Sequence, residues 1–166
     1  MPSKKTKTYH TSSSEETRRL GEEFSKQLSA TRSGNEKNAA VVVLSGELGA
    51  GKTTFVQGFL RGMGVRRRAP SPTFVIVRRY RAPQAGVRTT EGSKKAKISQ
   101  IFHMDAYRLK DASHLAVLEF EKMLENPRNI LLIEWGERIK DAIPRGATRI
   151  KFGYDKKEGV RKIKIS

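Results

Sequence analysis

The sequence predicts a mixed α/β fold in which helices flank a mostly parallel β-sheet and the chain ends in a β-hairpin. Residues 39–44 and 130–133 are continuous apolar runs without polar alternation, which is typical of strands buried on both faces of a sheet. Segments with helical spacing of apolar residues separate these runs, and this favours β–α–β units. Alternating apolar residues on either side of a turn at 155–159 indicate the terminal hairpin.

The first element is expected to be a helix that begins at Ser13. Ser13 and Glu16 have the spacing of a capping box, in which each side chain accepts a backbone N–H near the other residue. One face of this helix is apolar because large side chains recur every four residues, at Leu20, Phe24 and Leu28. Residues 1–12 are polar and basic, so we expect a flexible basic tail there and a single domain over 13–166.

The remaining elements follow from breaks in the apolar pattern. A helix is predicted over 53–63, where large apolar side chains lie four residues apart and Gly64 ends the pattern. Two prolines make 66–72 a loop. The later elements are, in order, a strand at 74–80, a polar loop at 81–96, a strand at 98–104, a helix from Asp111 or Ser113 to Leu124, a strand at 130–133 and a short helix at 137–143.

The composition excludes several classes of protein. The 166 residues contain no cysteine, which rules out a disulfide-built scaffold, a thiol nucleophile and a cysteine zinc site. The longest apolar run, 39–44, is far shorter than the roughly 18 residues that a membrane span needs. No apolar segment follows the basic residues at the N-terminus, as one does in a secretory signal. We therefore expect a cytoplasmic protein that does not associate with a membrane.

The net charge of +17 is concentrated in two stretches of the chain. Residues 66–100 carry +9 and residues 145–166 carry +6. A surplus of this kind favours polyanionic partners, chiefly nucleic acid, and is also compatible with a solvated basic surface. Where nucleic acid is contacted directly, we expect the basic loop 81–97 and the C-terminal hairpin to contact it.

Residues 46–53, GELGAGKT, match the phosphate-binding pattern G-x-x-x-x-G-K-[ST] at each fixed position. The glycines let consecutive backbone N–H groups point at phosphate oxygens, and the N-terminus of the next helix adds partial positive charge. Lys52 is expected to contact the β- and γ-phosphates and the Thr53 hydroxyl to ligate Mg²⁺. The sequence thus predicts a site for a nucleoside triphosphate with Mg²⁺, formed by Gly46, Leu48, Gly49, Ala50, Gly51, Lys52, Thr53 and Thr54.

Two carboxylates that follow buried strands are candidates for the metal site. Asp105 follows the apolar residues 101–104 and Glu134 follows 130–133. Because ligands of open α/β sheets bind at the carboxyl ends of the strands, both acids can face the nucleotide. We expect one to hold Mg²⁺ and the other to orient the attacking water, and the sequence leaves these roles unassigned. Asp105 can instead cap the turn before the next helix, and Glu134 can instead form a salt bridge or a cap.

Four neighbouring residues allow two interpretations each. Thr73, which ends the segment SPT, lies where a loop can sense the terminal phosphate, but the prolines also suit a structural turn. His103 is interpreted as a buried core histidine rather than a catalytic base. Trp135 either packs at the edge of the sheet or borders the nucleotide. Arg108 either stabilises phosphate charge or pairs with a nearby acid.

Four motifs together resemble the bacterial TsaE family of P-loop ATPases, which function in tRNA threonylcarbamoyladenosine biosynthesis. The motifs are SGELGAGKTTFVQGFLRGMG at 45–64, SPTFVIVRRY at 71–80, FHMDAYRL at 102–109 and LLIEWGER at 131–138. Their order and spacing carry the resemblance, which spans residues 13 to 165. It implies a P-loop NTPase-like fold and a slow, Mg²⁺-dependent ATPase. It also implies two partner proteins, TsaD and its paralogue TsaB, whose complex modifies the tRNA and is reset by this ATPase between turnovers.

The resemblance also assigns roles to individual residues. The implied catalytic residues are Lys52, Asp105 and Glu134. The implied metal ligands are Thr53, Glu134 and Asp105. Thr73 is expected in a switch-like loop, Trp135 beside the nucleotide and Ser14 near the adenine. Two positions depart from the family pattern, because Glu119 stands where glycine is usual and Gly136 stands where proline or serine is frequent.

Three other functions fit parts of the sequence. A small-molecule or nucleoside kinase shares the phosphate-binding pattern, but no lid segment with spaced arginines is evident. A GTPase needs a guanine-reading Asn-Lys-x-Asp motif and an Asp-x-x-Gly switch motif, and neither occurs. A basic nucleic-acid-binding module with a vestigial nucleotide site is favoured only by the charge of 66–100 and 145–166.

Overall fold

The structure, a computed structural model, describes residues 6–32, 34–65, 75–83, 98–109 and 113–166. Within these ranges one sheet contains the strands β1 (Lys7–Thr11), β2 (Ala40–Gly46), β3 (Val77–Arg81), β4 (Gln100–Asp105), β5 (Asn129–Glu134), β6 (Thr148–Tyr154) and β7 (Arg161–Ile165). The helices are α1 (Ser14–Thr31), α2 (Lys52–Gly62), α3 (His114–Val117) and α4 (Phe120–Glu125), with 3₁₀ turns at Ala106–Arg108 and Gly136–Ala142.

The sheet has the strand order β1-β7-β6-β2-β5-β4-β3. The four central strands β6, β2, β5 and β4 are parallel to one another, while β3 and β7 run antiparallel to their neighbours. β1 is antiparallel to β7 and so has the direction of the central strands. The predicted fold class is confirmed: the sheet is mixed and mostly parallel, and β6 and β7 form the C-terminal hairpin.

Three of the central strands, β2, β5 and β4, are buried on both faces. Val42 and Leu132 belong to the apolar cluster that includes residues of α1 and α2. Val43 and Ile133, one position further along the same strands, pack in a second cluster with residues of α3, α4 and the Gly136–Ala142 turn. This two-sided burial explains why the runs lack polar alternation. In the ranges that the structure describes, no helix combines the length and apolar character needed to cross a membrane.

The flexible tail expected at 1–12 is wrong for residues 7–11, which form β1. All of these residues pair with β7 in antiparallel register. Thr11 is buried, and its Oγ1 lies 2.8 Å from Thr17 Oγ1 on α1. The sequence gives only a weak indication of β1, because an edge strand is held by backbone hydrogen bonds and can keep polar side chains at its exposed positions.

The N-terminus of α1 carries the predicted capping box. Ser13 Oγ accepts the backbone N–H of Glu16 at 3.1 Å. In return, Glu16 Oε2 accepts the backbone N–H of Ser12 at 2.6 Å, one residue before the expected position. The first contact satisfies an N–H group that the first turn of a helix otherwise leaves without an acceptor, and the second ties the residue before the cap to the helix.

We expect Ser13→Ala to lower the free energy of unfolding by about 1 kcal/mol, because the Glu16 N–H loses its acceptor. Ser14→Ala is the matched control, since exposed Ser14 is the first helical residue rather than the cap. Urea denaturation of the two variants measures the difference. Equal midpoints for both would show that the cap does not stabilise α1.

Two predicted elements have different boundaries in the structure. The strand predicted at 74–80 begins only at Val77, because the preceding Ile76 has a φ of 61° and interrupts the extended backbone. The helix predicted to end at Leu124 is divided into α3 and α4. Glu119, between them, has a φ of 54°, which a continuous helix does not allow.

Helices α1 and α2 approach each other closely through glycines. A Cβ atom placed on Gly58 of α2 would lie 1.9 Å from the carbonyl oxygen of Arg18. One placed on Gly21 of α1 would lie 2.2 Å from the carbonyl oxygen of Phe55. Because both contacts are with backbone, they fix α2 against α1 and so position the loop that precedes α2.

Candidate nucleotide-binding site

A cavity of about 360 Å³ opens beside the carboxyl ends of β2, β5 and β4. Open α/β sheets bind their ligands at this edge. The glycine-rich loop (residues 46–53) and the residues that end β4 and β5 surround the cavity. Its lining residues are Leu48, Gly49, Gly51, Lys52, Thr53, Thr54, Asp105, Tyr107, Glu134 and Trp135.

The glycine-rich loop turns through left-handed backbone. Gly49 and Gly51 have φ angles of 79° and 106°, which other residues rarely adopt, and Ala50 between them is fully buried. Gly51 is the N-cap of α2 and has no side chain to cap the helix. The first N–H groups of α2 therefore need acceptors from outside the helix, and together with the helix dipole they favour an anion.

Lys52 folds back over the loop that contains it. Its Nζ donates to the carbonyl oxygens of Gly46 at 2.7 Å and Glu47 at 2.8 Å. The same Nζ lies 4.0 Å from the centroid of the Trp135 ring, a cation–π contact. Burial lowers the pKa of the Lys52 ammonium, and this effect is opposed by the nearby negative charges of Glu134, Glu137 and Asp105.

Glu134, the last residue of β5, is buried and contacted from two sides. The Thr53 hydroxyl donates to its carboxylate, with Oγ1 3.1 Å from both Oε1 and Oε2. On the other side, His103 Nε2 lies 2.7 Å from Glu134 Oε1. Mg²⁺ prefers oxygen ligands such as hydroxyl and carboxylate groups. Thr53 and Glu134 therefore fit a magnesium site next to the N-terminus of α2.

His103 is a site residue that sequence reasoning did not identify. It is fully buried, as expected for a core histidine, yet it contacts the candidate metal acid. Because an ionised carboxylate only accepts hydrogen bonds, Nε2 is the donor and holds Glu134 in position. The spacing along β4 could have indicated this role. His103 and Asp105 lie two residues apart, so their side chains share one face of the strand, and Asp105 pairs with Glu134 on the neighbouring strand.

Asp105 ends β4 beside Glu134 in parallel register. Its Oδ1 accepts the backbone N–H of Tyr107 at 2.9 Å, so it caps the 3₁₀ turn that follows. Asp105 is also buried and lines the cavity. The capping role and a role in the site are therefore both compatible with its position.

Trp135 and Tyr107 form an aromatic wall of the cavity. Their ring centroids are 5.2 Å apart, and the guanidinium carbon of Arg138 lies 5.1 Å from the centroid of the Tyr107 ring. Trp135 has a φ of 60°, which is rare for a bulky residue. Its backbone N–H donates to the carbonyl oxygen of Leu44 at 3.0 Å, and this bond holds the strained residue, which follows β5, against β2.

The remaining predicted site residues lie elsewhere. Ser14, expected near the adenine, is exposed in the first turn of α1 and does not line the cavity. Thr17, one turn further along α1, is instead close to the glycine-rich loop: its methyl group lies 3.5 Å from the position that a Cβ atom of Gly51 would occupy. Thr73 and residues 84–97 of the basic loop lie outside the described residues.

The chain matches a known protein family over most of its length. The model of a family described as threonylcarbamoyl adenosine biosynthesis protein TsaE matches residues 11–163. The chain belongs to the TsaE family. The tRNA threonylcarbamoyladenosine biosynthesis protein TsaE of Bacillus subtilis is 31% identical over 145 residues, which cover 85% of this chain and 80% of that protein. The TsaE protein of Haemophilus influenzae is 33% identical over 118 residues, which cover 71% of this chain and 65% of that protein.

A solved structure agrees with this family membership. The crystal structure of Bacillus subtilis YdiB matches with a TM-score of 0.65 and 26% sequence identity, covering 97% of this chain and 84% of that chain. The TsaE resemblance predicted from four motifs is thereby confirmed. The family also sets the general role, which is tRNA threonylcarbamoyladenosine biosynthesis.

Two departures from the TsaE pattern have structural explanations. Glu119 has left-handed backbone, a conformation that glycine adopts more readily than glutamate. At Gly136, a Cβ atom would lie 2.4 Å from Val43 Cγ1. A proline or serine there requires Val43 to move, so the glycine matches the valine that this chain has on β2.

Proposed function

We propose that the protein binds ATP with Mg²⁺ in the cavity, hydrolyses it slowly, and uses this cycle to reset a TsaB–TsaD complex between rounds of tRNA modification. The arrangement of Lys52, Thr53 and Glu134 at the uncapped N-terminus of α2 carries the proposal. Family membership supports the tRNA modification role, while ATP, Mg²⁺ and the two partner proteins belong to the proposal.

Each group of the site has a function in this proposal. The uncapped N–H groups of α2 bind phosphate oxygens, and Lys52 exchanges the carbonyl oxygens of Gly46 and Glu47 for phosphate oxygens. Thr53 and Glu134 hold Mg²⁺, which when bound neutralises charge on the phosphates. Because the Thr53 hydroxyl already contacts Glu134, we assign the metal to Glu134 and the orientation of water to Asp105.

Trp135 provides an internal signal for binding, since it is the only tryptophan in the chain. We expect ATP with Mg²⁺ to change its fluorescence in a saturable manner. The reason is that the Lys52 ammonium, 4.0 Å from the ring centroid, moves towards phosphate oxygens. Lys52→Ala is expected to weaken ATP binding about tenfold or more, because a charge-assisted contact is lost. Equal affinity of this variant and the wild type would contradict the assigned site.

Hydrolysis measured with the same two proteins tests the rest of the proposal. Phosphate release is expected to require Mg²⁺ and Lys52, to prefer ATP over GTP, and to change when a purified TsaB–TsaD pair is added. The second readout is the number of threonylcarbamoyladenosines formed per TsaD, which should exceed one only with this protein and ATP. Hydrolysis that the pair does not affect would remove the resetting role, and a phosphorylated acceptor would indicate a kinase.

A further inference from the structure

The sheet edge formed by β1, β7 and β6 has one covered face and one uncovered face. Phe152 of β6 and Ile163 of β7 pack in the cluster that contains residues of α1 and α2. The cluster on the opposite face of the sheet includes residues of β2, β4 and β5. In the described part of the chain, that second cluster has no member from β1, β6 or β7. Of the charged side chains that alternate with Phe152 and Ile163, Arg149, Lys151 and Lys164 are exposed and Lys162 is half-buried.

The uncovered face is basic. Its cationic side chains, here called the basic face, are Arg149, Lys151, Lys162 and Lys164. Lys151 lies directly opposite Lys164, and Lys162 lies opposite Gly153, which has no side chain. On β1, Thr8 pairs with Lys164 and His10 pairs with Lys162, so a polar strand extends the face.

In the described part of the chain, acids leave most of the charge of the basic face uncompensated. Among the described residues, its four cations form no ion pair within 4.0 Å. Asp155, in the adjoining turn, attracts Lys162 at longer range but is bound to His10 Nε2 at 3.0 Å. Like charges directly opposite in a sheet are destabilising, so the pairing of Lys151 with Lys164 opposes folding. A polyanion bound to this face would remove that repulsion.

We propose that the basic face binds the phosphate backbone of RNA. Charge complementarity is the first argument, since phosphate contacts from lysine and arginine supply most sequence-independent affinity for nucleic acid. The second argument is the absence of apolar side chains from this face within the described strands, because protein–protein interfaces centre on apolar and aromatic residues. The site is separate from the nucleotide cavity and does not depend on the proposed ATPase cycle.

Binding of an in vitro transcribed tRNA, followed by fluorescence anisotropy at several KCl concentrations, tests the proposal. The test variant is Lys151→Gln with Lys164→Gln. The control is Lys37→Gln with Lys140→Gln, which removes two exposed lysines elsewhere and changes the net charge equally. We expect the test variant to bind about tenfold more weakly and its salt-dependence slope to fall by about 1.5, with a clearly smaller change in the control.

Folding is monitored in parallel. Because the substitutions remove a like-charge pair, the test variant should unfold at the same urea concentration as the wild type or at a higher one. Equal losses of affinity in the test and control variants would overturn the proposal in favour of net charge alone. Undetectable tRNA binding by the wild type would also overturn it. So would binding of polyglutamate that equals tRNA binding and depends equally on Lys151 and Lys164, since this indicates an acidic protein partner.

Discussion

Gly58→Ala is expected to destabilise the protein by about 3 kcal/mol or to prevent folding. The added Cβ would lie 1.9 Å from the carbonyl oxygen of Arg18 and 2.6 Å from its carbonyl carbon, and neither backbone atom can rotate away. Alanine gains about 1 kcal/mol over glycine inside a helix, so the overlap outweighs the better helix propensity. Helix α1 must then move away from α2 and loosen the core around Phe55 and Phe59, which are fully buried.

Gly146→Ala is the matched control, because a Cβ at that position meets no atom within 4 Å. Urea denaturation followed by circular dichroism compares both variants with the wild type. We expect the control to unfold near the wild-type midpoint. A wild-type midpoint for Gly58→Ala would mean that α1 and α2 are not in backbone contact at this position.

Glu134→Gln is expected to lower the rate of Mg²⁺-dependent ATP hydrolysis about 100-fold. Glutamine keeps the size of the side chain and one oxygen that can accept from Thr53 or His103. It loses the negative charge and the second oxygen, which are the properties that a magnesium ligand needs. The Mg²⁺ concentration required for half-maximal rate should rise in the same variant.

Glu137→Gln is the control for charge, since Glu137 is exposed, does not line the cavity and undergoes the same chemical change. Phosphate release at saturating ATP, measured over a range of Mg²⁺ concentrations, separates the two variants. If Glu134→Gln retains the wild-type rate, Glu134 is not the metal acid. Asp105→Asn then becomes the variant to measure.

The parts of the fold that were predictable are those that local sequence determines. The runs that became β2 and β5 are apolar throughout because both faces of these strands are covered. β1 was missed because its pairing with β7 uses backbone groups and leaves Thr8 and His10 exposed. The division of the helix at Glu119 was missed because glutamate normally favours helix, and its left-handed backbone is imposed by the surrounding structure.

In the candidate site too, features set by adjacent residues were predictable, and contacts between distant strands were not. The glycine-rich loop was predictable because its backbone geometry and the start of α2 are encoded in adjacent residues. The contact between His103 and Glu134 depends on β4 lying next to β5, and strand order is not encoded locally. The basic face likewise depends on the register that places Lys151 opposite Lys164. The charge of residues 145–166 therefore predicted a basic segment, but it did not predict which side chains share one face of the sheet.

The pairing of β1 with β7 has a consequence for the order of folding. These strands are the first and the last along the described chain, yet they are immediate neighbours in the sheet. During synthesis, β1 leaves the ribosome long before β7, the strand with which it pairs among the described residues, exists. Closing so long a loop is entropically costly, and contacts between distant segments form slowly. The backbone amides of β1 therefore gain protection from hydrogen exchange only after the complete hairpin of β6 and β7 has joined the sheet.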